Sequence, residues 1–169
     1  MVETIRIEES TPTYPAPPAD LSDAAAAIEP AVVWGRLEAW MNRRWAKRQV
    51  ICDTDSGGAF SPPLRPAKLG KAEQWTGCAW KEITPKEGPF GVILADAPHR
   101  LTFTVGDDTD VPAELYEAYR RLAEYWAETP IDGGLTEVSD GDYSHKRSAN
   151  AAARALPNSG AADLLRRYR

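Results

Sequence analysis

Val111-Pro112-Ala113-Glu114-Leu115-Tyr116-Glu117-Ala118-Tyr119-Arg120-Arg121-Leu122-Ala123-Glu124-Tyr125-Trp126-Ala127-Glu128 is the stretch around which the chain is organised. Leu115, Tyr119, Leu122 and Trp126 recur at steps of four, three and four, with Ala118 and Ala123 beside them. That spacing predicts one apolar stripe along a helix. Asp110 can cap its start, Pro112 is tolerated in a first turn that needs no backbone donor, and Thr129-Pro130 ends it. Aromatic rings carry a large apolar surface, so a helix with two tyrosines and a tryptophan on or near its buried side can gather other elements into one core. The stripe predicts architecture and carries no chemistry by itself.

Working outward, a second apolar face lies upstream. Ser22-Asp23 offers a start for a short helix over Ala24–Ile28, and Pro30 opens or kinks the next segment. From there Trp34, Leu37, Met41 and Trp45 mark one side, adjoined by Val33 and Trp40, while Arg36, Arg43, Arg44, Lys47 and Arg48 lie opposite. The pattern predicts a long amphipathic helix ending near Ala46. Its basic side suits phosphate or an acidic protein, or is simply a solvated charged face.

Between the two helices the period changes. Gln49–Cys52 reads as a strand entering the turn Asp53-Thr54-Asp55-Ser56-Gly57-Gly58, and Ser61–Pro66 as proline-stiffened extended chain. Strand-like composition returns at Trp75–Trp80, Gly91–Leu94 and Arg100–Val105. In the last of these Leu101, Phe103 and Val105 alternate with Thr102 and Thr104, the cleanest period-two signal in the sequence. After Pro130 come Asp132-Gly133-Gly134, a short extended piece at Leu135–Val138, a modest helix over Ser148–Ala155, and a basic terminus. At the other end Val2–Glu8 alternates weakly, and Thr11–Pro18 holds four prolines in seven residues, which excludes helix or central strand. This proline-rich segment is either a loose tail or an arm resting on a neighbouring subunit.

These readings predict a mainly α protein: a helical bundle with a small antiparallel β-hairpin or sheet insertion at about 49–106, and extended N- and C-terminal arms. The expected organisation is an arm at 1–20, a core at 21–156 and a docking segment at 157–169. The core is expected to rest on Trp34, Leu37, Met41, Trp45, Leu115, Tyr119, Leu122 and Trp126.

Length and composition fit one domain with tails: 169 residues, 43% hydrophobic and 27% charged. No apolar run approaches the roughly 18–20 residues that cross a bilayer, so no membrane association is expected. The N-terminus lacks the basic, apolar and small-residue pattern of a signal sequence, which predicts a protein that stays in the cytoplasm of the cell that makes it. The net charge of −5 hides segregation: residues 101–142 hold eleven acidic and two basic residues, residues 143–169 one acidic and six basic. An acidic middle and a basic end predict contacts at two different surfaces. Sequence-specific nucleic-acid binding would need a basic face on the folded body and is not expected.

The sequence predicts no catalytic or metal chemistry. Asp53-Thr54-Asp55-Ser56-Gly57 begins like a calcium loop, but position twelve is Leu64 where a bidentate Glu is required. Asp55-Ser56-Gly57-Gly58 echoes a nucleophile turn without its preceding glycine, and neither His99 nor His145 has a carboxylate at recognisable spacing. The glycines never form a phosphate-cradling loop. Asp107, Asp108 and Asp110 favour a helix start. Cys52 and Cys78 give no disulfide framework and, with two scattered histidines, no zinc spacing. No enzyme activity, cofactor or metal is expected.

The order of the motifs is more informative than any of them alone. The series Arg100-Leu101-Thr102-Phe103-Thr104-Val105-Gly106, then Val111-Pro112-Ala113, then the helix through Leu122-Ala123-Glu124-Tyr125-Trp126, resembles the head–tail connector (adaptor, or head-completion) proteins of long-tailed bacteriophages. Gly141-Asp142-Tyr143-Ser144, Leu156-Pro157 and Leu164-Leu165-Arg166-Arg167-Tyr168-Arg169 resemble that family's tail, and Trp34–Trp45, closing on Arg43-Arg44-Trp45, its first long helix. The likeness covers roughly residues 28–169 and leaves out the proline-rich arm and the detail of 53–90.

The resemblance implies a virion structural protein, made in the bacterial cytoplasm and located in the neck. There, usually twelve copies form a ring beneath the portal, between it and a tail-side stopper or tail-terminator protein, and double-stranded DNA passes through without specific binding. It implies that Leu164, Leu165, Arg166, Arg167, Tyr168 and Arg169 dock on the portal, the arginines meeting acidic surface. A fold-back of Leu164, Leu165 and Tyr168 onto their own core is the other possibility. Glu114, Glu117, Glu124 and Glu128 are the candidate bore-lining acids, since carboxylates repel phosphate where Lys and Arg would hold it. A gene-transfer particle would use the same design. The competing function is a monomeric assembly chaperone or tail-assembly regulator.

Overall fold

The computed structural model describes residues 2–106, 110–128, 137–140, 143–146 and 153–169. The chain divides into two compact units, each made of two separate stretches: Met1–Thr13 with Asn42–Thr109, and Tyr14–Met41 with Asp110–Arg169.

The first unit is a β structure of two antiparallel sheets. Strands β1 (Thr4–Glu9), β2 (Arg48–Thr54), β4 (Ala67–Trp75), β5 (Trp80–Ile83) and β8 (His99–Val105) form the larger sheet in the order β1-β2-β8-β4-β5. Strands β3 (Gly58–Phe60), β6 (Lys86–Gly88) and β7 (Gly91–Leu94) form the smaller one in the order β3-β7-β6. The alternation read in β8 is its burial pattern: His99, Leu101, Phe103 and Val105 are buried and the residues between them half-buried. Val50, Cys52, Leu101, Phe103 and Val105 of the large sheet share one core with Phe60 and Leu94 of the small one. The Phe60 and Phe103 rings stack at 6.0 Å, within the favourable range for aromatic pairs. The approach of β7 to β3 requires glycine at Gly91, where φ is +147° and a Cβ would lie 2.1 Å from the Phe60 carbonyl oxygen. At the sheet edge, Glu9 of β1 accepts two hydrogen bonds from Arg44 (2.7 and 2.8 Å) and one from Arg48 (3.1 Å).

The second unit holds the helices. These are α1 (Asp23–Ala26), α2 (Pro30–Met41), α3 (Ala113–Glu128), α4 (Ala155–Asn158) and α5 (Ala161–Leu164), with a 3-10 turn at Arg166–Tyr168 and a two-stranded hairpin of β9 (Glu137–Asp140) and β10 (Tyr143–Lys146). The stripe on α3 buries Leu115, Ala118, Tyr119, Leu122 and Ala123, with Trp126 half-buried, and the helix packs against α1, α2, α4 and α5. From α2, Trp34 meets Tyr116 edge-on (5.8 Å, 77°) and Tyr119 at a tilt (5.0 Å, 52°). Trp34, Leu37 and Met41 are buried here.

The expectation of a mainly α fold with extended arms is corrected by these observations. The fold is mixed α/β, with 32% strand against 30% helix, and among the described residues only α2 and α3 reach seven residues. Three physical features account for the difference. First, Asn42 takes φ +53°, a left-handed conformation that Asn adopts readily and that ends helices, so α2 stops at Met41. Trp45, four residues beyond Met41 and in step with the helical face, therefore belongs to the β unit, buried with the Arg43 guanidinium 4.6 Å over its ring.

Second, the register of β4 on β8 shifts between Leu69 and Lys71, so the inward residues are Ala67 and Leu69 before the bulge and Ala72 after it. A one-residue shift of parity hides the strand from an alternation count. Third, the ends are built into the units. Residues 4–9 are β1, the Tyr14 hydroxyl donates to Glu38 Oε2 (3.3 Å), Trp34 Nε1 donates to the Pro15 carbonyl (3.1 Å), and the C-terminus is helical. The helix expected over 148–155 and the extended piece at 135–138 lie largely outside the described residues, as do Asp107 and Asp108.

Candidate interaction surfaces

The basic C-terminus divides by burial. Ala161 and Leu165 are fully buried, as are Ala155 and Leu156 of α4, and α5 packs on α3. Leu164 and Tyr168 are half-buried, and Arg166, Arg167 and Arg169 are exposed. Each arginine has a partner within its own unit: Arg166 Nη2 lies 3.4 Å from Asp163, Arg167 Nη2 lies 2.9 Å from Glu114, and the Arg169 guanidinium sits 5.0 Å from the Trp40 ring. Leu165 thus anchors the segment while the guanidinium groups stay accessible. Exposed ion pairs of this kind are worth about 0–1 kcal/mol and exchange readily for a better partner.

The acids of α3 are similarly distributed between internal and outward roles. Glu117 accepts from Arg120 (2.7 and 2.8 Å) and Arg121 (2.7 Å), and these bonds hold its carboxyl down to about 2. Glu124 accepts from the Ser22 backbone N–H (2.8 Å) and hydroxyl (2.7 Å), and those hydrogen bonds lower its pKa. Ser22 is also the N-cap of α1, accepting from the Ala25 N–H, so Glu124 fixes the start of α1 to α3. Glu114 pairs with Arg167, and Glu128 is exposed.

In the β unit the residues tested for catalysis serve the sheet. Asp53 accepts a forked pair from Arg100 (2.9 and 3.1 Å) across the β2–β8 ladder, and the Arg100 guanidinium covers the Trp80 ring at 4.6 Å. His99 is fully buried, and that burial pushes its imidazole below the ordinary value, with the Ala97 backbone acting the other way. Burial pushes the Cys52 thiol up to about 11, far from a reactive thiolate, while Cys78 is exposed in the β4–β5 turn. Among the described residues no group of three His, Cys, Asp or Glu side chains could hold a metal ion, and no helix is long and apolar enough to cross a membrane.

Sequence reasoning passed over one set of surface residues. Ile5 (62% exposed) and Ile7 (45%) on β1, and Phe90 (85%) and Ile93 (45%) on the β6–β7 hairpin, are large apolar side chains in water. The signal was available at Pro89-Phe90-Gly91, where a bulky aromatic stands between two turn residues.

No protein-family profile and no curated protein sequence matches the chain. Two solved structures do. One is a chain described as from the neck of a native gene transfer agent (GTA) particle computed with C12 symmetry, with TM-score 0.54, 13% identity, 88% of this chain and 83% of that one covered. The other is from the neck of an empty GTA particle computed with C6 symmetry, with TM-score 0.55, 13% identity, 98% of this chain and 95% of that one covered. The likeness is one of fold and spans both units.

Proposed function

We propose that this chain is a structural component of the neck of a phage-like particle, one copy in a ring that joins capsid to tail and forms part of the DNA conduit. The observation that carries this reading is the near full-length likeness in fold to the GTA neck chains. The sequence supports it independently, through the ordered motifs shared with head–tail connectors. In this role the chain makes and breaks no bond; it acts by repeating surfaces around an axis.

Within that role, the C-terminal segment docks on the portal. Arg166, Arg167 and Arg169 offer charge-assisted hydrogen bonds to acidic portal surface, Leu164 and Tyr168 add apolar contact, and the buried Leu165 holds the segment in position. The tail side of the ring meets a stopper or tail-terminator protein. Of the acids on α3, Glu128 is best placed to line a bore, because Glu117 and Glu124 hold internal hydrogen bonds and Glu114 pairs with Arg167. A carboxylate lining offers DNA phosphates nothing to bind.

The test is co-purification with a portal protein. Deleting Ala161–Arg169 would remove buried Ala161 and Leu165 and so confuse binding with folding. The triple variant Arg166→Ala/Arg167→Ala/Arg169→Ala avoids this. It is expected to keep the thermal stability of the parent and lose the portal. Undiminished portal binding by that variant would overturn the docking assignment.

A further inference from the structure

Among the described residues of the β unit, the exposed large apolar side chains fall in two separate places. One is β1, at one edge of the five-stranded sheet, where Ile7 registers with Cys52 and Ile5, at the bulge, borders Asp53 and Trp80; the exposed Arg6 stands between them and the exposed acids Glu3 and Glu8 flank them. The other is the β6–β7 hairpin with Phe90 and Ile93, which borders a groove of about 880 Å³. Beside this groove β5 pairs with β4 only over Ala72–Trp75, so Ala67 and Leu69 of β4 pair with β8 on one side and have no β5 residue on the other. Its lining includes Ala67, Leu69, Phe90 and the cationic side chains of Arg43 and Arg65, with Glu87 the single acid.

We propose that these two patches are the complementary halves of one interface between copies of this chain, with the Ile5/Ile7 edge of β1 in one copy seated against Phe90 and the groove of the next. The proposal rests on the ring reading above and names the surface through which the ring closes. Two different patches that meet make a heterologous, head-to-tail contact, the kind that generates rings; a twofold dimer would set one patch against itself. Charge agrees in sign: Glu3 and Glu8 against the intervening Arg6, which pairs with Glu8, leave the β1 edge with one net negative charge, and Arg43 and Arg65 against Glu87 leave the groove with one net positive charge. Position agrees as well. β1 and β4 are three steps apart in the sheet order, about 14–15 Å at the usual strand spacing, so the β1 edge and the groove beside β4 are separate surfaces of one copy. The joint is made by side chains and not by an added strand: a bulge at Ile5, between Thr4 and Arg6, interrupts the outward row of backbone groups on β1.

Particles assembled from the variant Ile7→Cys/Phe90→Cys, with exposed Cys78 changed to Ser, give the test on treatment with a short thiol–thiol cross-linker. The expected result is a ladder of dimers, trimers and larger species, absent when either cysteine stands alone. Phe90→Glu should weaken association between copies by roughly 30-fold or more, as for a central interface anchor. It should leave the thermal unfolding of the chain unchanged, because Phe90 is 85% exposed. A ring that assembles equally well with Phe90→Glu, or in which the double-cysteine chains do not cross-link, overturns this interface. If such a chain still occupies the neck, the proposed function stands; if it is absent from the neck, that reading falls as well.

Discussion

Replacing Leu165 by Ala separates what the C-terminal segment does for the fold from what it does for a partner. The side chain is fully buried at the C-cap of α5, the helix that packs on α3. Truncating a buried Leu removes its transfer energy and leaves a cavity, together about 2–5 kcal/mol. For a chain of this length each kcal/mol is worth about 2–4 °C in Tm, so the variant should melt at least about 4 °C lower. Arg167→Ala removes only an exposed ion pair, with side-chain exposures of 61% and 41%, and should stay within about 2 °C of the parent. Thermal unfolding followed by far-UV circular dichroism and by calorimetry reads both. A Leu165→Ala protein that melts with the parent would refute the packing of the segment and return all six terminal residues to the pool of free docking groups.

Four further outcomes follow from the same contacts. Acid should destabilise the protein in two windows: His99, held neutral by burial, contributes stability that is full above its ordinary pKa near 6.5 and declines below it. Glu9, Glu117 and Glu124, whose folded pKa values lie below 4.5, contribute stability that is full above that pH and drains away toward pH 2. The urea midpoint should therefore fall monotonically from pH 8 to pH 3, and a rise on acidification would contradict both assignments. Asp53→Ala leaves Arg100 without its fork in a half-buried site and should cost about 1.5–3 kcal/mol in urea unfolding, against little for Asp55→Ala at an exposed position. Gly91→Ala, with a Cβ 2.1 Å from a backbone oxygen, should destabilise the chain by more than about 1 kcal/mol and loosen β3 from β7 in amide exchange. Glu128→Lys should slow DNA release from particles without changing assembly, and unchanged release kinetics would remove this acid from the bore.

The helical unit was legible because its signals are local. The α3 stripe obeys helical period, Pro112 precedes its first turn, and Trp34, Leu37 and Met41 lie on one face of α2. The β unit was legible only where a strand is buried on one face without interruption, as in β8. β4 carries Lys68, Gly70, Lys71 and Glu73 and changes parity at its bulge, β6 is three residues long, and neither offers periodicity to count. Asn42 shows the same limit at a single residue. The apolar series Trp34, Leu37, Met41, Trp45 keeps perfect helical step, yet one left-handed residue ends the helix and leaves Trp45 in the other unit, beneath Arg43. Pairings across the chain, such as Glu9 with Arg44 or Asp53 with Arg100, are long-range and leave no local trace. The internal partners of Glu114, Glu117 and Glu124 distinguish the acids of α3 in a way that charge counting could not.

The most direct measurement is the structure of the particle neck by cryo-electron microscopy, with the chain traced in density. The account predicts repeated copies around the tail axis between portal and tail tube, each with its C-terminal arginines toward the portal. A complete neck whose density accommodates no copy of this chain would contradict it.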